Sequence, residues 1–372
     1  MTSVLKEVQA LRKRSACTVD PDNKNRHRIL VTEEDGTKTS YYFSVPVYRR
    51  QDGKLVKRTF TKDERGCFFE GSHATVTIGE TVKLSNEEGT CLLSFPQALD
   101  AVTPDRAHMG NISLAPTLCG IACRVQGTAS FAFDLEVTDR TLSVRANDKC
   151  FALMREKFRP FLTVSAIGTL QDDHVQAPLK ITYMQRAAGA FRITVSPYAP
   201  TGKEMLFEVN LYESKLFGDT TVDSKNANVN NAFGTTAFLG STPFFGDMWL
   251  YSRPDLGKMP ELQRKKPKSV KLYLPCLGLD TASLRAFGIT ARFCSFGTNW
   301  SNKMQELPIF TESQAKNGYL VLDVTTFFTE EKTGITRLSN GFILKAKEKS
   351  AFAVIPTADS SLYPQILEIK TN

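Results

Sequence analysis

Histidine and tryptophan are scarce in this sequence, with four and two among 372 residues. The four histidines, His27, His73, His108 and His174, stand apart in loop-like contexts. No His-x-x-x-His or His-Glu-x-x-His pair is formed, so each ring is expected to be solvated. No Gly-x-Ser-x-Gly elbow presents a nucleophile. Neither Gly-x-x-x-x-Gly-Lys-Ser/Thr nor a strand–Gly-x-Gly-x-x-Gly–helix unit is there to cradle phosphate. Asp172-Asp173-His174 has the residue types of an acid–base or metal cluster, but it stands in a polar Gln171–Gln176 stretch between two apolar runs, where a solvated turn is expected. The sequence predicts a non-enzymatic protein without a cofactor or metal.

Long apolar runs are also lacking. No stretch approaches the roughly 20 residues of a membrane span, and Met1 to Ser15 carry charges throughout, with no apolar h-region of a secretory leader. The expectation is synthesis in the bacterial cytoplasm without a signal peptide, with no membrane partner. The sequons Asn111-Ile112-Ser113 and Asn299-Trp300-Ser301 are then chance matches. Eight cysteines, at 17, 67, 91, 119, 123, 150, 276 and 294, lie mostly in apolar runs. Cys119 and Cys123 have no second Cys or His pair at zinc spacing, so buried free thiols are expected. The net charge of +8 is spread along the chain. Its one dense run, Arg264, Lys265, Lys266, Lys268 and Lys271, lacks the aromatic partners of a nucleic-acid footprint and reads as a solvated loop between strands. No nucleic-acid partner is expected.

Phenylalanine, by contrast, is abundant at 25, and Thr, Val and Phe alternate with polar residues between Gly, Asn and Asp clusters. That pattern predicts an all-β chain of serial antiparallel sandwich or jelly-roll-like domains. Residues 1–27 form a short helix and linker. Val4, Leu5, Val8 and Leu11 give the helix one apolar face, which must dock on a partner and is the candidate assembly interface. A β-rich domain follows at 28–110, opening on a hairpin around Asp35-Gly36 and closing on an exit loop at Pro96–Arg106. A sandwich-like domain spans 111–204, with one or two helical turns at Ala152–Phe158. A third domain spans 205–372, where Leu320, Leu322 and Val324 alternate with Val321 and Asp323 to give a one-sided strand.

Within the third domain the motifs follow a definite order. Asp219–Val222 opens it, and Asn230–Gly234 leads to Phe238-Leu239-Gly240. Val270–Leu274, Trp300, Leu322–Thr325, Asn340–Leu344 and Pro364–Ile369 then follow. This order resembles the DNRLRE domain, a β-sandwich module related to disaggregatase repeats, over about 45% of the chain. It departs from that family at Trp249–Ser252 and Arg253–Leu256, which leaves the register of that strand open. The N-terminal half is similar to the β-rich front ends of clostridial prophage and RHS-associated proteins.

The resemblances imply a structural or assembly protein of a phage-like, multi-subunit particle, such as a decoration, fibre or tail component, that self-assembles or docks to other particle subunits within a virion. The alternative they imply is a carbohydrate-binding or cell-surface adhesion module with a glycan ligand. Sugar sites combine aromatics with nearby amides; the candidates are Tyr41, Tyr42, Trp249, Tyr251 and Trp300, although each is expected first as a core or strand-pair aromatic. The Asn226–Asn231 run is expected to form turns and cap its own backbone; with Asp219 and Asp223 it also supplies the oxygen types of a calcium site, without EF-hand spacing.

Overall fold

The computed structural model describes residues 18–19, 25–32, 36–47, 59–64, 66–71, 73–212, 216–264, 267–279, 282–329, 340–348 and 350–371. The predicted helix with Val4, Leu5, Val8 and Leu11 lies outside the described residues. What is described is nearly all antiparallel strand, as the alternation predicts. It separates into two compact units, one made of Val56–Ser214 with Phe233–Thr235, the other of the described residues within 2–55, 215–232 and 236–372.

The first unit has two sheets. One runs, in spatial order, through Ser143–Asn147, Cys150–Glu156, Arg159–Gln171, Glu204–Leu211, Gly120–Gln126 and Ile112–Pro116 to the short strands Ala107–Met109 and Ala101–Val102. The other runs from Leu179–Ala187 through Ala190–Pro197, Phe131–Val137 and Gly89–Ser94 to Thr61–Asp63. Phe131, Phe133, Leu135 and Val137 alternate inward while Asp134 and Glu136 turn out, because successive side chains leave a strand on opposite faces. Inward residues of both sheets meet in one core, in which the rings of Phe133 and Phe207 stack with centroids 5.6 Å apart. Each such ring removed from water contributes on the order of 1.5–3 kcal/mol.

The expected boundary between residues 110 and 111 therefore does not separate two cores. It falls in the turn of a hairpin, where Met109 pairs with Ile112. The end of the unit also lies later than residue 204, because Glu204–Leu211 is paired on both sides, to Gly120–Gln126 and to Arg159–Gln171. Ala152–Phe158 is not helical either: Cys150–Glu156 is a strand with neighbours on both edges. Its Ala, Leu, Met and Glu favour helix locally, but burial of residues 150–154 between two partners overrides a preference of a few tenths of a kcal/mol per residue.

The second unit is built on one thirteen-stranded sheet. Its order begins with Thr18–Val19, Arg28–Thr32 and Lys38–Phe43, passes directly to the last strand, Ile366–Thr371, and continues through Ser269–Pro275, Tyr319–Asp323 and Glu306–Lys316. Leu284–Ile289, Phe342–Ala346, Gly246–Pro254, Thr236–Thr242 and Phe352–Pro356 complete the order, and Phe217–Asp223 pairs with Gly246–Pro254. The hairpin over Gly36 forms as predicted, with φ +79° at that glycine. However, residues 28–47 belong to this unit and not to the one that follows them in sequence. Leu320 and Leu322 are buried and Asp323 is exposed, as the alternation requires. Gly240 lies inside a strand; its φ is +121° and an added Cβ would run into the Ala351 carbonyl.

Candidate functional site

Of the five aromatics singled out as ligand candidates, Tyr41, Tyr42 and Tyr251 are fully buried. Trp249 and Trp300, the only tryptophans in the chain, are half-buried and lie together, with ring centroids 4.7 Å apart and planes inclined at 50°. Both belong to the second unit.

Trp249 is placed by register. In Gly246–Pro254, Met248 and Leu250 point to one face and Trp249 and Tyr251 to the other. Tyr251 pairs with Ile343 and Leu250 with Leu344, so the next residue along the ladder, Lys345, comes beside Trp249. Its ammonium stands 3.5 Å from the Trp249 ring centroid. Ile343 in turn pairs with Phe287, and Phe287 with Phe310. One sheet face thus carries the row Tyr251, Ile343, Phe287, Phe310 and beside it the row Trp249, Lys345, Arg285, Glu312. Beneath the tryptophans, Val222, Tyr251, Ile289, Phe293 and Ile343 form a buried apolar cluster on which Trp249, Trp300 and Met304 pack.

Trp300 is placed by a loop, and the asparagine run holds that loop. Asn230 donates its side-chain amide to the carbonyls of Ser295 and Thr298, each at 2.8 Å. Asn228 accepts from the Ser301 hydroxyl at 2.8 Å, and Ala227 accepts from the Ser301 amide at 3.0 Å. The run is itself pinned by Asp223, whose carboxylate accepts from the amide and side chain of Asn226 at 2.8 Å and from Asn231 at 3.3 Å. At the loop's far end the buried Tyr251 hydroxyl donates to the Met304 carbonyl at 2.9 Å. Burial pushes that phenol well above its ordinary range, so it stays a donor.

Between these elements opens a cavity of about 450 Å³ lined by Trp249, Ser301, Lys303, Met304, Gln305, Glu306 and Lys345. That size falls within the roughly 300–1,000 Å³ of small-molecule sites. The Lys303 ammonium lies 4.2 Å from the Trp300 centroid and 5.5 Å from that of Trp249. Lys303 donates to the Trp300 carbonyl at 3.1 Å, and Lys345 is ion-paired with Glu306. Both indoles thus carry a cation over the ring, an arrangement that holds ammonium groups in place. Lys303, Lys345 and Glu306 had no signal in the sequence: their roles depend on which strand pairs with Gly246–Pro254 and on where the loop closes.

Other candidates resolve differently. Asp219 is buried and accepts from the Ala358 amide at 2.5 Å, while Asp223 serves the asparagines. Among the described residues no group of three or more His, Cys, Asp or Glu could hold a metal. Asp172 and Asp173 have φ of 50° and 65° and form a two-residue hairpin turn between Gln171 and His174, with Asp173 2.7 Å from Arg124. His27 corrects the expectation of solvated rings: it is buried, with Nδ1 3.1 Å from the Phe43 carbonyl. Comparison with protein-family models and with curated proteins finds no match to this chain.

Proposed function

We propose that this is a non-enzymatic binding protein whose second unit takes a glycan in the cavity between Trp249, Ser301, Lys303 and Lys345. One observation carries the reading. The chain's two tryptophans, separate in sequence, are brought together over a buried apolar cluster by a strand register and an asparagine-held loop, and Trp249 with the residues that follow Trp300 lines one open cavity. Rigid aromatics with convergent amides, hydroxyls and charges are the composition of a ligand site. On this reading the sheets form sandwich or jelly-roll-like domains, and the second unit is DNRLRE-like, related to carbohydrate-binding sandwiches. A glycan array probed with the wild type and with Trp249→Ala tests it. Ligands retained by the wild type and lost by the variant are expected; an array that neither protein binds would sink the reading.

A second observation favours assembly into a phage-like particle as a decoration, fibre or tail component. Leu179–Ala187 is the outer strand of its sheet among the described residues, and Thr182–Ala187 are all exposed. Tyr183 and Met184 are 43% and 58% exposed there. An apolar edge of this kind is a template for another chain. The two readings are compatible, since the tip of a fibre can bind a glycan. Light scattering on the full chain and on a chain lacking residues 1–16 separates the contributions. Assembly by the full chain alone assigns the interface to Val4, Leu5, Val8 and Leu11, whereas assembly by both assigns it elsewhere. A monomer in both samples would remove the particle reading.

A further inference from the structure

The cavity differs from a simple aromatic platform, and the difference bears on what it binds. A neutral sugar stacks its C–H face on a bare ring, but here Lys345 stands 3.5 Å from the Trp249 centroid and Lys303 4.2 Å from that of Trp300. The rings position cations, and both cations line the cavity. An ammonium has three donors. Lys303 gives one to the Trp300 carbonyl and Lys345 gives one to Glu306, which leaves donors on both.

Charge points the same way. Lys303 and Lys345 line the cavity with a single carboxylate, Glu306. On the adjoining face Arg285 and Lys347 share a single carboxylate, Glu312, at 2.8 and 2.9 Å. In the cavity lining itself two cations stand against one anion, an excess of one positive charge. Glu306 has a second consequence. A ligand resting on it must bring a donor as well as an anion, because a carboxylate only accepts. The phosphodiester backbone of a nucleic acid brings no donor, and its bases would have to stack on faces the lysines occupy.

We infer that the cavity binds a carboxylate-bearing pyranose, the uronic acid residue of an acidic polysaccharide. The carboxylate lies on Lys303 and Lys345, and ring hydroxyls donate to Glu306 and hydrogen-bond with Gln305 and Ser301. This rests on the glycan reading of the same cavity. Charge-assisted hydrogen bonds are roughly twice as strong as neutral ones, so the carboxylate supplies most of the discrimination.

Because Trp249 lines the cavity and Trp300, the chain's other tryptophan, packs against it, the tryptophan fluorescence of the full chain reports on this region. The emission is titrated with polygalacturonate and alginate, with methyl-esterified homogalacturonan and a neutral galactan, and with oligo(dT). The acidic polymers are expected to change the emission saturably, with an apparent affinity that falls as salt rises. The ester should bind about tenfold more weakly or worse, the scale of one charge-assisted hydrogen bond. Lys303→Met and Lys345→Met, which keep the aliphatic stems, should each lose about tenfold toward the acid and little toward the ester. Lys303 is on the loop, so its variant decides the matter if Lys345→Met fails to fold. Equal affinity for acid and ester would overturn the inference while leaving a glycan site. Silence toward every polysaccharide from a protein with an intact thermal transition would overturn the glycan reading as well. Tighter binding of oligo(dT) would assign the face to single-stranded nucleic acid.

Discussion

Tyr42 and Leu367 face each other across an antiparallel pair, so the strand Lys38–Phe43 and the last strand of the chain are neighbours in one sheet. Tyr41, Tyr42 and Phe43 are fully buried there. Residues near the start of the sequence therefore complete a core made of its end.

A fragment of residues 205–372 should on that account fail to fold cooperatively. It keeps most of Glu204–Leu211, whose partners are in the first unit, and loses Lys38–Phe43, which covers the edge of Ile366–Thr371. Thermal circular dichroism is expected to show aggregation or a broad transition. A sharp transition at the full chain's midpoint would show that the N-terminal strands are dispensable.

Leu322→Asp in the full chain should unfold the second unit. Leu322 is fully buried between Leu272 and Ser313, and an unpaired buried carboxylate costs several kcal/mol, a large part of a domain's margin of about 5–15. Asp323→Ala should cost only about 1 kcal/mol. Its exposed carboxylate accepts from the amide and hydroxyl of Thr325 at 3.1 and 2.5 Å and from nothing deeper. Urea midpoints for the two variants give the comparison, and similar losses would refute the side-chain assignment.

Glu261 should give the second unit an acid-sensitive contact. Burial by itself would raise its carboxyl, but hydrogen bonds from Tyr42 and Ser40, a backbone bond and the Arg28 charge outweigh burial and hold it below the ordinary range. The Arg28 guanidinium is 2.6 Å away and the Ser40 hydroxyl 2.8 Å. A depressed carboxylate adds stability that is complete above the unfolded titration range and is lost as pH falls through the folded value. Glu261→Gln should thus cost about 1–3 kcal/mol at neutral pH, and the gap to wild type should narrow below the ordinary glutamate range. A gap that stays constant with pH would rule out an ionised Glu261 as its source.

Thiol reactivity should divide by burial. Cys67, Cys91, Cys119, Cys123 and Cys150 are buried, while Cys294 is exposed and Cys276 is half-buried. Burial pushes the Cys67 thiol up to about 11 and those of Cys91 and Cys123 further, so they should resist alkylation in the native state. Peptide mapping after brief native alkylation is expected to find label at Cys294 first among the described cysteines. After unfolding without reductant all eight cysteines should be modified. A pair that stays blocked would reveal a disulfide.

Asn230→Ala should loosen the loop that carries Trp300 without unfolding the unit. The change removes two hydrogen bonds to carbonyls that lie five and two residues before Trp300, together worth about 1–3 kcal/mol. Greater quenching of tryptophan emission by acrylamide is expected, with a small fall in thermal midpoint. Unchanged quenching would mean that the Asn228–Ser301 and Tyr251–Met304 bonds suffice to hold the loop.

Much of this protein was written locally. Period-two alternation in Phe131–Val137 and Leu320–Asp323, and the turns at Gly36 and Asp172-Asp173, follow from side-chain geometry and backbone preference within a few residues. The Asn226–Asn231 run was legible as turn-forming, but its task of holding a loop about seventy residues later was not. Domain limits were illegible for the same reason. The boundary expected after residue 110 rested on exit-loop residues, whereas cores are defined by which strands pair, and Leu135 opposite Leu93 joins the two stretches.

The sequence by itself determined an antiparallel β chain with free cysteines and alternating faces, because those properties depend on residue type and on contacts along one strand. Only the tertiary structure decided which faces met. The pairing of Tyr251 with Ile343 put Lys345 beside Trp249, and Asn230 drew Trp300 in from its loop. A strand specifies its two faces but not its neighbours; those are chosen by burial summed over the whole unit, and the candidate site exists only as a result of that choice.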